Sequence, residues 1–109
     1  MKPLPPAFLD RMQSLLGGEY ADFLACYDQS PNIGLRVNLL KLTASEFSRI
    51  SPFELTPVPW TAEGFRLTSD EQPGKHPYHA AGLYYLQEPA AMAAADALGP
   101  QPGERVLDL

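Results

Sequence analysis

Cysteine is almost missing from this chain: Cys26 stands alone among 109 residues. A single thiol cannot build an internal disulfide framework, so burial and backbone pairing must carry the fold, and a reduced, cytoplasmic setting is expected. Long apolar runs are missing too. No stretch approaches the roughly 18 to 20 residues that a membrane span needs. The opening Met1-Lys2-Pro3-Leu4-Pro5-Pro6 has neither the apolar core nor the small-residue cleavage site of a secretory signal. Positive charge is scarce, with 8 Lys and Arg against 13 Asp and Glu and a net charge of −5. Phosphate neutralisation needs a basic surface, so this balance argues against a free-standing electrostatic nucleic-acid binder. It leaves room for a module that lends one or two cations to a site shared with another domain.

What is present fits a folded chain, with 45% hydrophobic and 19% charged residues. Leu4-Pro5-Pro6 leads into a helical pattern in which Phe8, Leu9, Met12, Leu15 and Leu16 share a face, and Gly17-Gly18 stops it. A second helix is expected from about Glu19 to Gln29, with Tyr20, Phe23, Leu24 and Tyr27 as its stripe. Cys26 lies beside them with no nearby base or cation, and reads as a small buried thiol rather than a nucleophile. The two helices form a hairpin.

Ser30 to Gly34 is a turn cluster. Leu35-Arg36-Val37-Asn38-Leu39 then alternates as a strand, with Leu35, Val37 and Leu39 on one face and Arg36 and Asn38 on the other. Thr43-Ala44-Ser45-Glu46 is a capping box, so a helix should start there, carry Phe47 and Ile50 inward, and end at Pro52. Thr56–Trp60 and Phe65–Leu67 look like a hairpin, and Pro57 and Pro59 confine its first strand to an edge. From Ser69 to Pro77 the chain is polar and turn-rich. A helical turn at Tyr78–Ala81, a strand at Leu83–Gln87 and an alanine-dense helix at Ala90–Leu98 follow, the helix ending at Gly99. The alternation of short helices and strands indicates the α/β class, an α+β arrangement with a small mixed sheet.

Arg105-Val106-Leu107-Asp108-Leu109, introduced by Pro102-Gly103-Glu104, reads as an apolar strand. Buried strands of this kind usually sit in parallel sheets, whose neighbours arrive through crossovers of a dozen or more residues. The segment is therefore expected to open a larger sheet. The alternative is that it closes a small sheet with Leu83–Leu86 and Leu35–Leu39.

Three stretches in order carry a more specific signal: Gly34-Leu35-Arg36-Val37-Asn38, His79 through Met92 with Tyr84-Tyr85-Leu86-Gln87-Glu88-Pro89 at its centre, and Pro102 through Leu109. Together they resemble the Nol–Nop–Sun family of S-adenosylmethionine-dependent RNA cytosine-5 methyltransferases, in its bacterial ribosomal-RNA branch, over almost the whole chain. The resemblance implies an accessory, RNA-recognising domain at residues 1–99. It implies that residues 100–109 begin a Rossmann-like catalytic domain whose cofactor loop and two cysteines are absent from this sequence. This chain alone is accordingly expected to be inactive and to bind no S-adenosylmethionine, which belongs to the full-length protein. Its implied partners are ribosomal RNA and the catalytic domain in cis, with no membrane.

On that footing Arg36, Asn38 and Lys41 are candidate RNA contacts, although Arg36 equally suits a structural ion pair and Asn38 a turn cap. Tyr85, Gln87 and Glu88 could border the target-base pocket, or one tyrosine could serve the core while Gln87 satisfies backbone. Asp108 is expected to support the cofactor loop. No residue is assigned a catalytic role. His76 and His79, with no third ligand, do not make a metal site. A competing reading is a non-catalytic α/β protein-interaction domain, which the acidic charge suits. Another nucleotide-binding protein would need only the last eight residues and would leave Tyr84 to Met92 unexplained.

Overall fold

The computed structural model describes residues 4–68 and 70–109. Met1, Lys2, Pro3 and Ser69, the last opening the expected turn-rich stretch, lie outside the described residues. The chain divides into two compact units, one up to Pro31 and the other Asn32–Leu109.

The first unit is the helical hairpin. Helix α1 spans Pro6–Leu16, with Pro6 at a position where a missing N–H costs nothing. It ends at Gly17, whose φ of 53° only glycine adopts without strain. A 3-10 turn at Gly17–Glu19 leads into α2, Tyr20–Cys26, which is shorter than the sequence suggests. Phe23 holds the unit together, with ring centroids 6.1 Å from Phe8, 6.4 Å from Tyr20 and 5.3 Å from Tyr27. Leu15 is 66% exposed and so leaves the expected stripe. Cys26 is exposed rather than buried, its thiol turned back to the Asp22 carbonyl at 3.3 Å. Two short helices have too little surface between them to enclose it.

The second unit is a four-stranded sheet with helices on both faces. Strand β1 is Ile33–Val37, β2 Thr56–Pro57, β3 Gly64–Leu67 and β4 Tyr84–Leu86, in the order β2-β3-β1-β4. The α/β class with short helices holds, and all three pairings are antiparallel rather than mixed. Central β1 pairs Leu35 with Phe65 on one side and with Leu86 on the other. Only Thr56 and Pro57 of the first hairpin strand pair, at the sheet edge where proline does no harm.

Period-two alternation sends Leu35, Val37, Phe65, Leu67 and Tyr84 to one face, where they meet Phe47. Phe47 comes from α3, Ala44–Ile50, and its ring centroid lies 5.5 Å from Tyr84 and 6.5 Å from Phe65. The expected capping box starts α3: Thr43 Oγ1 accepts from the Glu46 N–H, and the Glu46 carboxylate accepts from the Thr43 N–H at 2.7 Å. Those bonds to Thr43 hold the Glu46 carboxyl below its ordinary value of 4.5. Ile50, the last residue of α3, is 47% exposed rather than carried inward with Phe47.

Helix α5, Pro89–Leu98, covers the opposite face. Two glycines make room for it. A Cβ at Gly34 would run into the Pro89 ring and the Gln87 carbonyl, and one at Gly64 into Met92 and Thr61. Met92 and Val58 are buried in this second layer. Gly99, at φ 55°, closes the helix as expected.

Two further expectations fail. Leu39 does not continue β1: the strand ends at Val37, and Asn38 starts a turn that leaves Leu39 and Leu40 exposed. Arg105–Leu109 does not pair as a strand of this sheet, so the alternative in which it closes the sheet with Leu83–Leu86 and Leu35–Leu39 is not what the structure shows. A strand exists only where another backbone satisfies it. Among the described residues none runs alongside, and Val106, Leu107 and Leu109 stay exposed.

Candidate functional site

Arg36 and Tyr85 are cross-strand partners on the α5 side of the sheet. Alternation fixes this, since Leu35 and Tyr84 point into the core. Arg36, Asn38, Gly82 and Tyr85 line a shallow depression of about 340 Å³, floored by Val37 and Tyr84. The Tyr85 ring is 70% exposed. Its neighbour Tyr84 is the core tyrosine, donating its hydroxyl to the Pro73 carbonyl at 2.7 Å. Burial raises the Tyr84 phenol above its ordinary value of 10.0.

Three residues bind the rim together. Asn38 Nδ2 donates to the Gly82 carbonyl at 2.9 Å, while its Oδ1 accepts from the Leu40 N–H at 3.1 Å. Gly82 sits at φ 70°, a conformation the turn after helix α4, Pro77–Ala80, requires. Lys41 reaches back to the Ala81 carbonyl. An ammonium has three donors, so two remain toward solvent.

Arg36 is not free in the same way. Its guanidinium lies 3.3 Å from the Glu63 carboxylate and 3.2 Å from that of Asp96, all three side chains about three-quarters buried. The Thr61 hydroxyl donates to the same Glu63 oxygen at 2.8 Å. Glu63, Asp96 and Thr61 were missed in the sequence. One signal was available: Asp96 is the sole charged residue of an otherwise apolar helix, which usually means it has a partner.

The remaining candidates lie elsewhere. Gln87 donates its backbone N–H to Gly34 at 3.1 Å, and with Asp108 it lines a groove of about 450 Å³ walled by Ala91, Ala94, Ala95 and Leu98. Glu88 is exposed at the start of α5 and makes no capping bond through its side chain. The structure therefore gathers Arg36, Asn38, Lys41 and Tyr85, and separates them from Gln87 with Asp108 and from Glu88. The groove beside Asp108 is walled mostly by methyl groups, with Gln87 and Asp108 as its polar side chains.

His76 and His79 serve structure: His76 Nδ1 accepts from the Tyr78 N–H and caps α4, and His79 lies 5.8 Å from Tyr84. Among the described residues no cluster of three or more His, Cys, Asp or Glu could hold a metal ion.

The described residues thus form a small antiparallel sheet between helices, with an exposed aromatic and a cation beside a backbone-braced rim. Comparison with known proteins makes this particular. The family described as the N-terminal domain of 16S rRNA methyltransferase RsmF matches residues 4–89, and the chain belongs to that family. Relatives named ribosomal RNA small subunit methyltransferase F include those of Erwinia tasmaniensis, 36% identical, and Klebsiella pneumoniae, 37% identical, each over 96% of this chain. That of Vibrio cholerae is 35% identical over 97% of it. The chain spans 24% of the length of these relatives. A crystal structure of a methyltransferase homolog protein from Pyrococcus horikoshii superposes with a TM-score of 0.71 at 28% identity, over 93% of this chain and 39% of that one. The methyltransferase-family resemblance and the fold class read from the sequence both stand.

Proposed function

We propose that this chain is the RNA-orienting accessory part of an S-adenosylmethionine-dependent ribosomal-RNA cytosine-5 methyltransferase working in the cytoplasm. The observation that carries this reading is the extent of the family match, which runs from Leu4 to Pro89 through every strand of the sheet. No described helix is long and apolar enough to cross a membrane.

Carbon 5 of cytosine is a poor nucleophile. Covalent attack by a cysteine thiolate at carbon 6 would make it reactive, and the cofactor would supply the methyl group. Both belong to the catalytic domain in cis. Cys26, on a hydrogen-bonded helix with no base beside it, has no part in that step. What this chain contributes is positioning. Tyr85 offers an exposed ring on which an unpaired base can stack, a contact typically worth about 1–3 kcal/mol. Lys41 offers its free donors to a neighbouring phosphate. Asn38 holds the rim on which both sit. The alanine face of α5, with Gln87 and Asp108, packs against the catalytic domain, and Glu88 borders the same junction.

The test is methyl transfer from labelled S-adenosylmethionine to 16S ribosomal RNA by the full-length protein, with the label mapped by nuclease digestion. The reading requires label on carbon 5 of a cytosine, and no calorimetric isotherm for the cofactor with this chain alone. Transfer to a protein or small molecule instead of RNA would overturn it.

A further inference from the structure

Helix α5 meets the sheet at three residues along one stripe, Pro89, Met92 and Asp96, spaced three and four apart. At the first, Trp60 Nε1 donates to the Pro89 carbonyl at 2.8 Å. At the second, Met92 is fully buried over the space that Gly64 leaves open. These two contacts set where the helix begins and how deep it lies. Neither sets the direction of its far end. The rest of α5 is alanine apart from Leu98, which is 63% exposed, and methyl groups supply no directional contact.

Direction comes from the third point. Asp96 is one turn from the end of α5, and Arg36 is on the central strand, so their 3.2 Å bridge ties the helix end to the middle of the sheet. The guanidinium is planar and presents several donors in a rigid fork, so it can face two carboxylates at once. Glu63, itself held by Thr61, fixes the guanidinium from the other side. The cluster carries one positive and two negative charges. A phosphate approaching Arg36 would meet both carboxylates, which makes this arginine a poor RNA contact despite its place beside Tyr85.

We propose that Arg36 is a positioning residue: through Asp96 it sets the direction of α5, and thereby the placement of the segment beyond Gly99 relative to the Tyr85 edge of the sheet. This rests on the proposed function, in which RNA meets that edge and catalysis happens in the domain that α5 leads to.

The experiment uses the full-length protein and compares Arg36→Gln, Arg36→Lys and Asp96→Asn with wild type. Three things are measured: kcat and KM for ribosomal RNA, the salt dependence of RNA binding, and hydrogen exchange along α5. A small misplacement far from the chemistry lowers turnover steeply, so kcat should fall roughly tenfold to a hundredfold in Arg36→Gln and in Asp96→Asn, with KM for RNA unchanged. Arg36→Lys should recover part of the loss, and exchange near Asp96 should quicken in both weaker variants.

A phosphate contact gives the opposite pattern. Arg36→Gln would then raise KM and reduce the slope of log affinity against log salt by about 0.7 to 0.9, while Asp96→Asn would tighten RNA binding. Either result overturns the proposal, as does faster exchange with kcat unchanged. Wild-type protein that transfers no methyl group to RNA would sink the proposed function, and with it the catalytic half of this inference. Exchange would still decide the clamp, since unchanged protection of α5 in Arg36→Gln refutes it.

Discussion

Replacing Gly34 with alanine tests how closely α5 and β1 approach. The new Cβ would lie 2.9 Å and 3.1 Å from the Cδ and Cγ atoms of Pro89 and closer still to the Gln87 carbonyl oxygen. Carbon atoms prefer about 3.5–4.0 Å, and here the neighbours are a rigid ring and backbone. The start of α5 has to shift, at a cost of about 1–3 kcal/mol for overpacking. That shift pulls on the 3.1 Å bond from the Gln87 N–H to the Gly34 carbonyl, worth about 1 kcal/mol more. A loss of about 2–4 kcal/mol corresponds to roughly 8–30 °C in midpoint for a unit of this size. Urea unfolding followed by the fluorescence of Trp60, the single tryptophan, measures it, and the indole reports locally because it is bonded to Pro89. Gly74→Ala is the control. Its Cβ meets only the tip of the Leu86 side chain at 3.2 Å, which can turn aside, so the cost should stay under about 0.5 kcal/mol. Equal midpoints for the two variants would mean that α5 does not lie on β1 as described.

Three other perturbations probe the layers beneath. Phe47→Ala empties the centre of the inner face, where this ring is fully buried, and should cost about 3–5 kcal/mol by denaturant titration. Thr43→Ala removes the capping box and should cost about 0.5–2 kcal/mol at neutral pH. Because the Glu46 carboxyl is held below 4.5 in the folded state, its contribution is present above that value and lost as pH falls through the lowered one. The gap between wild type and Thr43→Ala should therefore narrow in acid, by the part that the Thr43 hydroxyl's bond to the carboxylate supplies, while the bond from the Glu46 N–H to Thr43 Oγ1 persists. Tyr84→Phe leaves the Pro73 carbonyl without its 2.7 Å donor and should cost about 1–3 kcal/mol. The wild-type phenol is raised above 10.0, so the stability linked to it is present below that pH and lost as pH rises further. A pH titration of unfolding should show an alkaline decline that the Phe variant lacks.

Much of this architecture was legible because local rules decided it. The Thr43–Glu46 box, the glycine stops at Gly17 and Gly99, and the alternation that buries Leu35 and Val37 each follow from a few neighbouring residues. Where sequence reading failed, a distant partner or its absence decided the outcome. Asn38 ends β1 by bonding to Gly82, 44 residues away, and that exposes Leu39. Cys26 lies open because α1 and α2 are too short to enclose it. Arg105–Leu109 has strand-forming residues and no backbone beside it among the described residues. The candidate site divides the same way. Alternation placed Arg36 and Asn38 on one face, but the pairing of Arg36 with Tyr85 and its engagement by Glu63 and Asp96, 27 and 60 positions away, were invisible to spacing.

A photo-crosslinking residue at position 85 in the full-length protein tests the RNA-orienting role most directly. Tyr85 is exposed and its replacement leaves the core intact. Irradiation with 16S ribosomal RNA should give one dominant adduct within a few nucleotides of the methylated cytosine. Adducts scattered along the RNA, or none while methylation proceeds normally, would show that this face of the chain does not meet the substrate.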